Sequence, residues 1–347
     1  MMKAAKRFGA ALALMLAIFC LAAAAVAQED AAMDPPAPFS REELTQMLAP
    51  IALYPDALLS QILMASTYPI EVIEAERWLK NNPSLSGDAL DNALLHLDWE
   101  PSVKALCHFP TVLNLMSERI AQTTDLGNAF LAQEEDVMDT VQELRARAYA
   151  EGNLNTTTRH QVVVERETIS IEPSDPRIIY VPYYNPYHIY GSWRYPAYPP
   201  YYWIPSGLRV GRGITYWPGI SFEFALNRWS QFDWQRRYIY FDTYRPSRFI
   251  RYHRWAPDPD PWYHSPRHRR GIVYRDHRTA ERYYRQPSST RGMRDQSRYF
   301  EPPRRSAPEV RVRSPIVDRS QPVSREGYAE GDRMNKPLLD RLNRRGR

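Results

Sequence analysis

Cysteine is nearly missing from this sequence: 347 residues hold two, Cys20 and Cys107. Cys20 falls in an N-terminal apolar run, which leaves one thiol for the body of the chain. A lone thiol closes no internal disulfide, so packing alone has to hold the fold. Cys107 lies at an apolar helical position in SVKALCHFP and reads as core. A reactive thiol needs an electropositive, accessible setting, and the adjacent His108 does not face it on a helix. Glycine is scarce as well, 14 against 30 prolines. That balance favours an extended, proline-stiffened portion over one compact globule.

Catalytic signatures are absent too. There is no Gly-x-Ser-x-Gly elbow, Walker loop, His-Glu-x-x-His or Cys-x-x-Cys, so the chain is expected not to be an enzyme and to use no cofactor. His264 and His268 have the spacing of a metal pair. Pro266 separates them, however, and Arg267, Arg269 and Arg270 crowd the place with positive charge. Asp276 and His277 are the only nearby candidates to complete such a set, and no metal is expected. Asp258 and Asp260 read as turn composition, and Glu134-Glu135-Asp136 as a solvated helix face. Beyond the N-terminus no apolar run is long enough to cross a bilayer.

What is present first is an export signal. Lys3, Lys6 and Arg7 precede the apolar stretch Ala10–Ala25, and Ala25-Val26-Ala27 is a small-x-small cleavage site. Residues 1–27 therefore read as a signal peptide, 28–39 as a linker, and the expected location is the periplasm. A lipid anchor at Cys20 is disfavoured by Phe19 before it, and an uncleaved N-terminal helix by its short, Ala-rich length.

Charge divides the remainder. Residues 28–155 hold 7 Lys and Arg against 21 Asp and Glu; residues 156–242 hold 9 against 7; residues 243–347 hold 26 against 12. Beyond residue 155 there are 34 Arg and a single Lys, Lys336. Arginine offers a planar fork for phosphate or carboxylate and a flat face for aromatic stacking.

Residues 40–155 read as an acidic, all-helical domain. Ser40-Arg41-Glu42-Glu43 is a capping box. Leu58, Leu59, Ile62 and Leu63 share one helical face, as do Ile70, Ile73, Arg77 and Trp78. Tyr54-Pro55, Tyr68-Pro69 and Phe109-Pro110 place proline where a helix begins, with an aromatic packing back on the first turns. After Gly152-Asn153 the period changes to two. Val162, Val164, Ile169 and Ile171, then RIIYVPYY, suggest a hairpin over about 160–183 that turns at Pro173–Pro176. A second strand pair, 220–226 with 237–241, would be joined through Trp229–Trp234 and add to the first in a small sheet.

Between them, VPYYNPYHIYGSWRYPAYPPYYW (181–203) has ten Tyr or Trp and five Pro in 23 residues. Proline removes ladder donors and excludes a central strand. So much aromatic surface requires a cover: the helical domain or the downstream sheet, with the hydroxyls reaching solvent, or else a partner, sugar rings or an envelope protein. The fold class is thus α+β: an N-terminal helical domain, a β-rich Tyr/Trp/Pro-rich module at 156–285, and a disordered, Arg-rich tail at 286–347.

Three blocks in order, LAPIALYPDALLSQILMASTYPIEVIEAERWL (48–79), YVPYYNPYHIYGSWRYPAYPPYYW (180–203) and HSPRHRRGIVYRD (264–276), resemble a bacterial envelope family, the domain of unknown function numbered 3300. The resemblance covers about 45–280. It implies an exported or lipid-anchored protein of Gram-negative bacteria, and implies no activity, cofactor or catalytic residue.

Function is carried in the sequence by RFIRYHRWAPDPDPWYHSPRHRRGIVYRDHRTAERYYRQ (248–286). Arginines interleaved with aromatics suit phosphate-bearing polymers and glycans. The candidate anion contacts are Arg251, Arg254, Arg267, Arg269, Arg270 and Arg275, with Trp255, Trp262 and Tyr263 stacking. The expected role is non-catalytic binding of an anionic polymer or glycan, with lipopolysaccharide, peptidoglycan or nucleic acid as partner. The alternative is a scaffold, in which the acidic and basic ends bind each other, a second copy, or an envelope protein.

Overall fold

The computed structural model describes residues 37–221, 230–241 and 260–284. The signal segment, most of the linker, residues 222–229, the tail from 286, and Arg251, Arg254 and Trp255 lie outside the described residues. Eight helices come first: α1 (Arg41–Leu48), α2 (Asp56–Ser66), α3 (Pro69–Asn81), α4 (Gly87–Leu94), α5 (Pro101–Leu106), α6 (Pro110–Glu118), α7 (Ile120–Ala132) and α8 (Glu134–Ala150). The capping box forms as expected: Glu43 N–H donates to Ser40 Oγ at 3.3 Å, and Ser40 N–H to Glu43 Oε2 at 2.8 Å. Proline opens α3, α5 and α6. Pro55 is the cap residue of α2, and the aromatics of the three expected pairs, Tyr54, Tyr68 and Phe109, are fully buried.

Helix α2 is the centre of the molecule, buried from Ala57 to Ser66. Helix α3 departs from its expected orientation. Its buried face is Glu71, Val72, Ala75 and Glu76, while Ile70, Ile73 and Trp78 are only half-buried and Arg77 is exposed. A carboxylate on an inner face needs partners, and a distant part of the chain supplies them.

The β elements are short and antiparallel. They are β1 (His160–Glu165), β2 (Thr168–Pro173), β3 (Ile178–Ile179) and β4 (Pro182–Tyr183), then the one-turn helix α9 (Pro186–Ile189), followed by β5 (Thr215–Tyr216), β6 (Ile220–Ser221), β7 (Ser230–Asp233), β8 (Tyr238–Phe241) and β9 (Asp260–Pro261). The first hairpin pairs β1 with β2, Glu165 opposite Thr168. It turns at Arg166-Glu167, where Arg166 takes φ 55°, and not at Pro173–Pro176. The latter bend only redirects the chain into β3, which pairs with β6. The second hairpin likewise turns later than expected: β7 pairs with β8 across 234–237, where Arg237 has φ 57°. Among the described residues the strand pairs stay separate, β4 with β5 and β9 on the outer side of β8, and they do not join in one sheet.

The aromatic strip wraps the helices. Tyr183, Tyr184, Tyr190 and Trp203 are buried. Their polar tips turn inward instead of reaching solvent: Tyr184 and Tyr190 hydroxyls donate to Ala49 O at 3.0 and 2.7 Å, Tyr183 to Thr111 Oγ1 at 3.1 Å, and the Trp203 indole to Gln122 Oε1 at 3.0 Å. Burial holds the Tyr183 hydroxyl up at about 12. Helices, strip and hairpins share one hydrophobic core, in an α+β fold with a helical majority. Cys107 belongs to that core, and burial raises its thiol pKa far above the reactive range.

Candidate functional site

The described part of the Arg/aromatic run contains β9, α10 (Pro266–Arg269) and α11 (His277–Tyr284). It forms a strap laid along the helical body. Pro266 starts α10, and Arg270 ends it in the left-handed region at φ 54°, followed by Gly271 at φ 80°. That reversal points the α10 side chains at α2, α3 and α7.

Trp262 leads the strap in. Its backbone N–H donates to Ile239 O at 2.7 Å and its ring stacks on Phe130 at 5.6 Å. Its indole N–H points to Glu100 Oε1 at 3.4 Å. His264 follows, buried and stacked on Tyr68 at 5.0 Å. The Thr67 hydroxyl donates to Met64 O at 2.7 Å, so its oxygen is left to accept from His264 Nδ1–H at 3.2 Å. His264 Nε2 then accepts from the Tyr274 hydroxyl at 3.0 Å. Both ring nitrogens are used by a neutral imidazole. Burial, with Arg269 and His268 nearby, pushes its pKa down to about 3.

His268 behaves oppositely. Burial works to lower its pKa, but the Glu71 carboxylate at 2.8 Å, backed by Glu100 and Asp98, more than offsets this and raises it above the usual value. Glu71 also accepts from Glu100 N–H at 2.7 Å and lies 3.6 Å from Arg270. Glu100 in turn accepts from Ser102 N–H and its hydroxyl, and burial raises its pKa.

Of the arginines expected to contact anions, the four described ones, Arg267, Arg269, Arg270 and Arg275, each have a partner within the chain. Arg269 is 1% exposed. It donates to Ile272 O, Thr67 O, Asn128 Oδ1 and Val273 O at 2.8–3.0 Å and sits over Tyr274. Four of the five N–H groups of a guanidinium are thereby used, and Arg269 is a strut of the fold with no face to offer an external polymer. Arg270 pairs with Glu74 at 2.6 Å. Arg275 lies apart, its guanidinium 3.6 Å over the Phe39 ring and bonded to Ala37 O at 3.4 Å. Arg267 pairs with Asp98 at 3.0 Å, but both side chains are over 70% exposed, 77% and 74%, so that pair contributes little. Tyr263 is 68% exposed. Thus Trp262 and Arg269 turn inward on one side of the body, Arg270 pairs with Glu74 at the exposed edge of the same side, Arg267 and Tyr263 stay at its surface, and Arg275 is elsewhere. Sequence reasoning missed Glu71, Glu100, Thr67 and Asn128, the anchors that receive the strap. None carries a local signal, because each gains its partner only in the folded chain.

A pH test isolates His264. An unfolded imidazole titrates near about 6.5 and the folded one at about 3. What His264 contributes is therefore complete above the unfolded value and lost as pH falls toward the folded one. Glu134, held up at about 7 by burial, and Glu100 act in the opposite sense above the ordinary carboxylate range. The quantity to measure is accordingly the stability difference between the chain and its His264→Gln variant. It should shrink below pH about 6.5 by about 1.4 kcal/mol per pH unit. A difference that stays flat down to pH about 4 would mean that His264 charges freely in place.

The family described as "Protein of unknown function (DUF3300)" matches residues 40–264, from the Ser40 cap to His264 of the strap. "Uncharacterized protein YacH" of Escherichia coli (strain K12) is 39% identical over 233 residues, covering 56% of this chain and 37% of that protein. The chain spans well under half the length of that relative. No solved structure matches the chain.

Proposed function

The chain belongs to the DUF3300 family, and on that footing we propose that it is a non-catalytic, exported envelope protein that holds an anionic polymer through arginines of its C-terminal part. The observation that carries the reading is where the charge remains. Residues 37–284 hold 26 Lys and Arg against 29 Asp and Glu, close to balance, whereas residues 285–347 hold 16 against 8. In the folded body four arginines of the strap are engaged within the chain, Arg267 and Arg270 by carboxylates and Arg269 and Arg275 by carbonyls and rings, so the surplus that a polyanion would meet is carried beyond Tyr284. Arg251, Arg254 and Trp255 in the run before the strap are assigned with it, and Arg267 and Tyr263 contribute at the surface. Arg269, Arg270 and Arg275 position the strap. Lipopolysaccharide phosphates, peptidoglycan and nucleic acid are the candidate polymers. The basic start, apolar run and Ala25-Val26-Ala27 site support export to the periplasm.

The test compares the mature chain, 28–347, with a chain ending at Tyr284 for binding to lipopolysaccharide, DNA and peptidoglycan at low and high salt. The mature chain is expected to bind with affinity that falls steeply in salt, log K dropping by about 0.7–0.9 per phosphate contacted for each unit of log salt. The shortened chain should bind at least about tenfold more weakly. Equal binding by both, or binding indifferent to salt, would overturn the reading.

A second reading, a scaffold that self-associates or binds a protein partner, is supported by pairs that join the acidic and basic parts of one chain. Arg237 meets Asp139 at 2.7 Å, and Arg270 meets Glu74; the same complementarity is available between copies. An oligomeric state that rises with protein concentration and is lost when the tail is removed would favour it.

A further inference from the structure

Among the described residues, the two hairpins enclose a groove that neither the strap nor the aromatic strip fills. We propose that it binds a saccharide without net negative charge, at a site distinct from the arginine surplus. Glu165, Arg166, Thr168 and Ser170 line one side and Phe232, Asp233, Trp234, Gln235 and Tyr240 the other, around a cavity of about 560 Å3. A second cavity of about 280 Å3 continues from it past Ser170 and Phe232 toward Asp56 and Glu172. Small-molecule sites commonly fall within about 300–1,000 Å3.

The aromatic wall is built rigidly. Phe232 stacks on Trp234 with ring centres 4.2 Å apart and planes 17° from parallel. Trp234 is fixed from behind: its indole N–H donates to Asp56 Oδ2 at 2.9 Å, and the buried Arg145 guanidinium lies 5.0 Å from its ring. Tyr240 is held by its hydroxyl, which donates to Gln231 Oε1 at 2.6 Å. Phe232 and Tyr240 are only half-buried, so a preorganised apolar wall faces the groove.

Opposite chemistry surrounds it. Glu165 and Gln235, one from each hairpin, are exposed planar acceptors, with the Thr168 and Ser170 hydroxyls between. Arg166 reaches the groove from a left-handed turn position, φ 55°, that a side chain occupies only at a cost; backbone strain of this kind concentrates at functional positions. A sugar ring presents an apolar C–H face for the aromatic wall and a rim of hydroxyls for carboxylate, amide and hydroxyl partners. The sign of the lining narrows the class. Asp56 is paired with Arg145 and Asp233 with Arg236, which leaves Glu165 and, in the continuation, Glu172 against Arg166, so the lining stays acidic, an anionic sugar is disfavoured and a neutral or amino sugar is accepted.

The probes are chitotriose, maltotriose and trigalacturonate, titrated by calorimetry into the full chain, its Phe232→Ala and Glu165→Ala variants, and the chain ending at Tyr284. At least one of the two neutral trisaccharides is expected to bind at millimolar concentration, indifferent to salt, while trigalacturonate does not. The chain ending at Tyr284 should bind as well as the full one, which separates this site from the arginine surplus. Each substitution should weaken binding by about tenfold, the effect of losing one stacking face or one hydrogen bond to a charged group. Glu165 is an exposed residue at the end of β1, beside the turn, so its truncation is expected to leave the fold intact and remains informative if Phe232→Ala lowers stability. No response to either neutral trisaccharide, or binding unchanged in both variants, would overturn the proposal.

Discussion

Replacing Arg145 with alanine is expected to lower the stability of the chain by about 3–5 kcal/mol, the range for removing one member of a buried ion pair. Arg145 projects from α8 into the core and is fully buried. Its guanidinium donates to Ala52 O at 2.8 Å, Tyr54 O at 3.1 Å and Ile169 O at 2.8 Å, and lies 2.7 Å from Asp56 Oδ1. One side chain thus joins the α1–α2 connection, the start of α2 and the first hairpin, while packing beneath Trp234 of the second. Alanine would leave three carbonyls and a carboxylate facing a void. Asp56 would keep the Ile171 N–H at 3.2 Å and the Trp234 indole, which limits the damage at that one acceptor. Lysine should recover little, because a single ammonium cannot reproduce a planar fork directed at several acceptors. Urea denaturation followed by circular dichroism measures the difference. A loss below about 1 kcal/mol would mean that water replaces the guanidinium and that the hairpins are held by packing alone.

The helical half of this architecture is legible because its signals are local. A capping box, prolines at helix starts and apolar residues at helical spacing each act within a few positions, and the structure places helices where they fall. Helix α3 shows the limit of that reasoning. Its sequence offers Ile70, Ile73 and Trp78 as an apolar face, yet the chain buries Glu71 and Glu76. Glu71 finds His268 from 197 residues away, and periodicity cannot register a partner at that distance. Both hairpins are legible as alternating runs, but where they turn is not, for another reason. Their turns use Arg166 and Arg237 at positive φ, positions where glycine or asparagine would have given the signal. The clearest turn composition, Pro173-Ser174-Asp175-Pro176, bends the chain between strands that do not pair with each other.

The site was legible as composition but not as geometry. Arginine beside tyrosine and tryptophan describes a surface for polyanions and a strap bonded to its own acidic body equally well. What separates the two is the placement of carboxylates and carbonyls elsewhere in the fold. Arg269 illustrates it: three of its four acceptors are backbone carbonyls, groups every sequence supplies and none advertises. The groove between the hairpins was illegible for the same reason, since Glu165 and Phe232 line one cavity only because α2 and Arg145 bring their two hairpins side by side.

Gly127→Ala is expected to destabilise the chain by about 3 kcal/mol, at the upper end for overpacking a core, although alanine is the better helix former by about 1 kcal/mol. The sign is set by how closely α7 crosses the end of α2. A Cβ built on Gly127 would lie 2.8 Å from Thr67 N and 2.5 Å from the Ser66 carbonyl carbon, and nearer still to its oxygen. These are backbone atoms, so no side chain can swing away to make room. Nor can the end of α2 retreat cheaply. Thr67 O accepts from Arg269 at 3.0 Å, and the Thr67 hydroxyl accepts from His264, so a shift of Ser66–Thr67 pulls on the strap that covers it. The substitution should therefore show two linked effects: a lower denaturation midpoint, and faster proteolytic cleavage between Trp262 and Tyr284 under conditions where the helices persist. Lower stability without a change in strap cleavage would mean that α7 gives way and the Thr67 contacts survive. An unchanged or raised midpoint would show that the two helices stand farther apart than one methyl group requires.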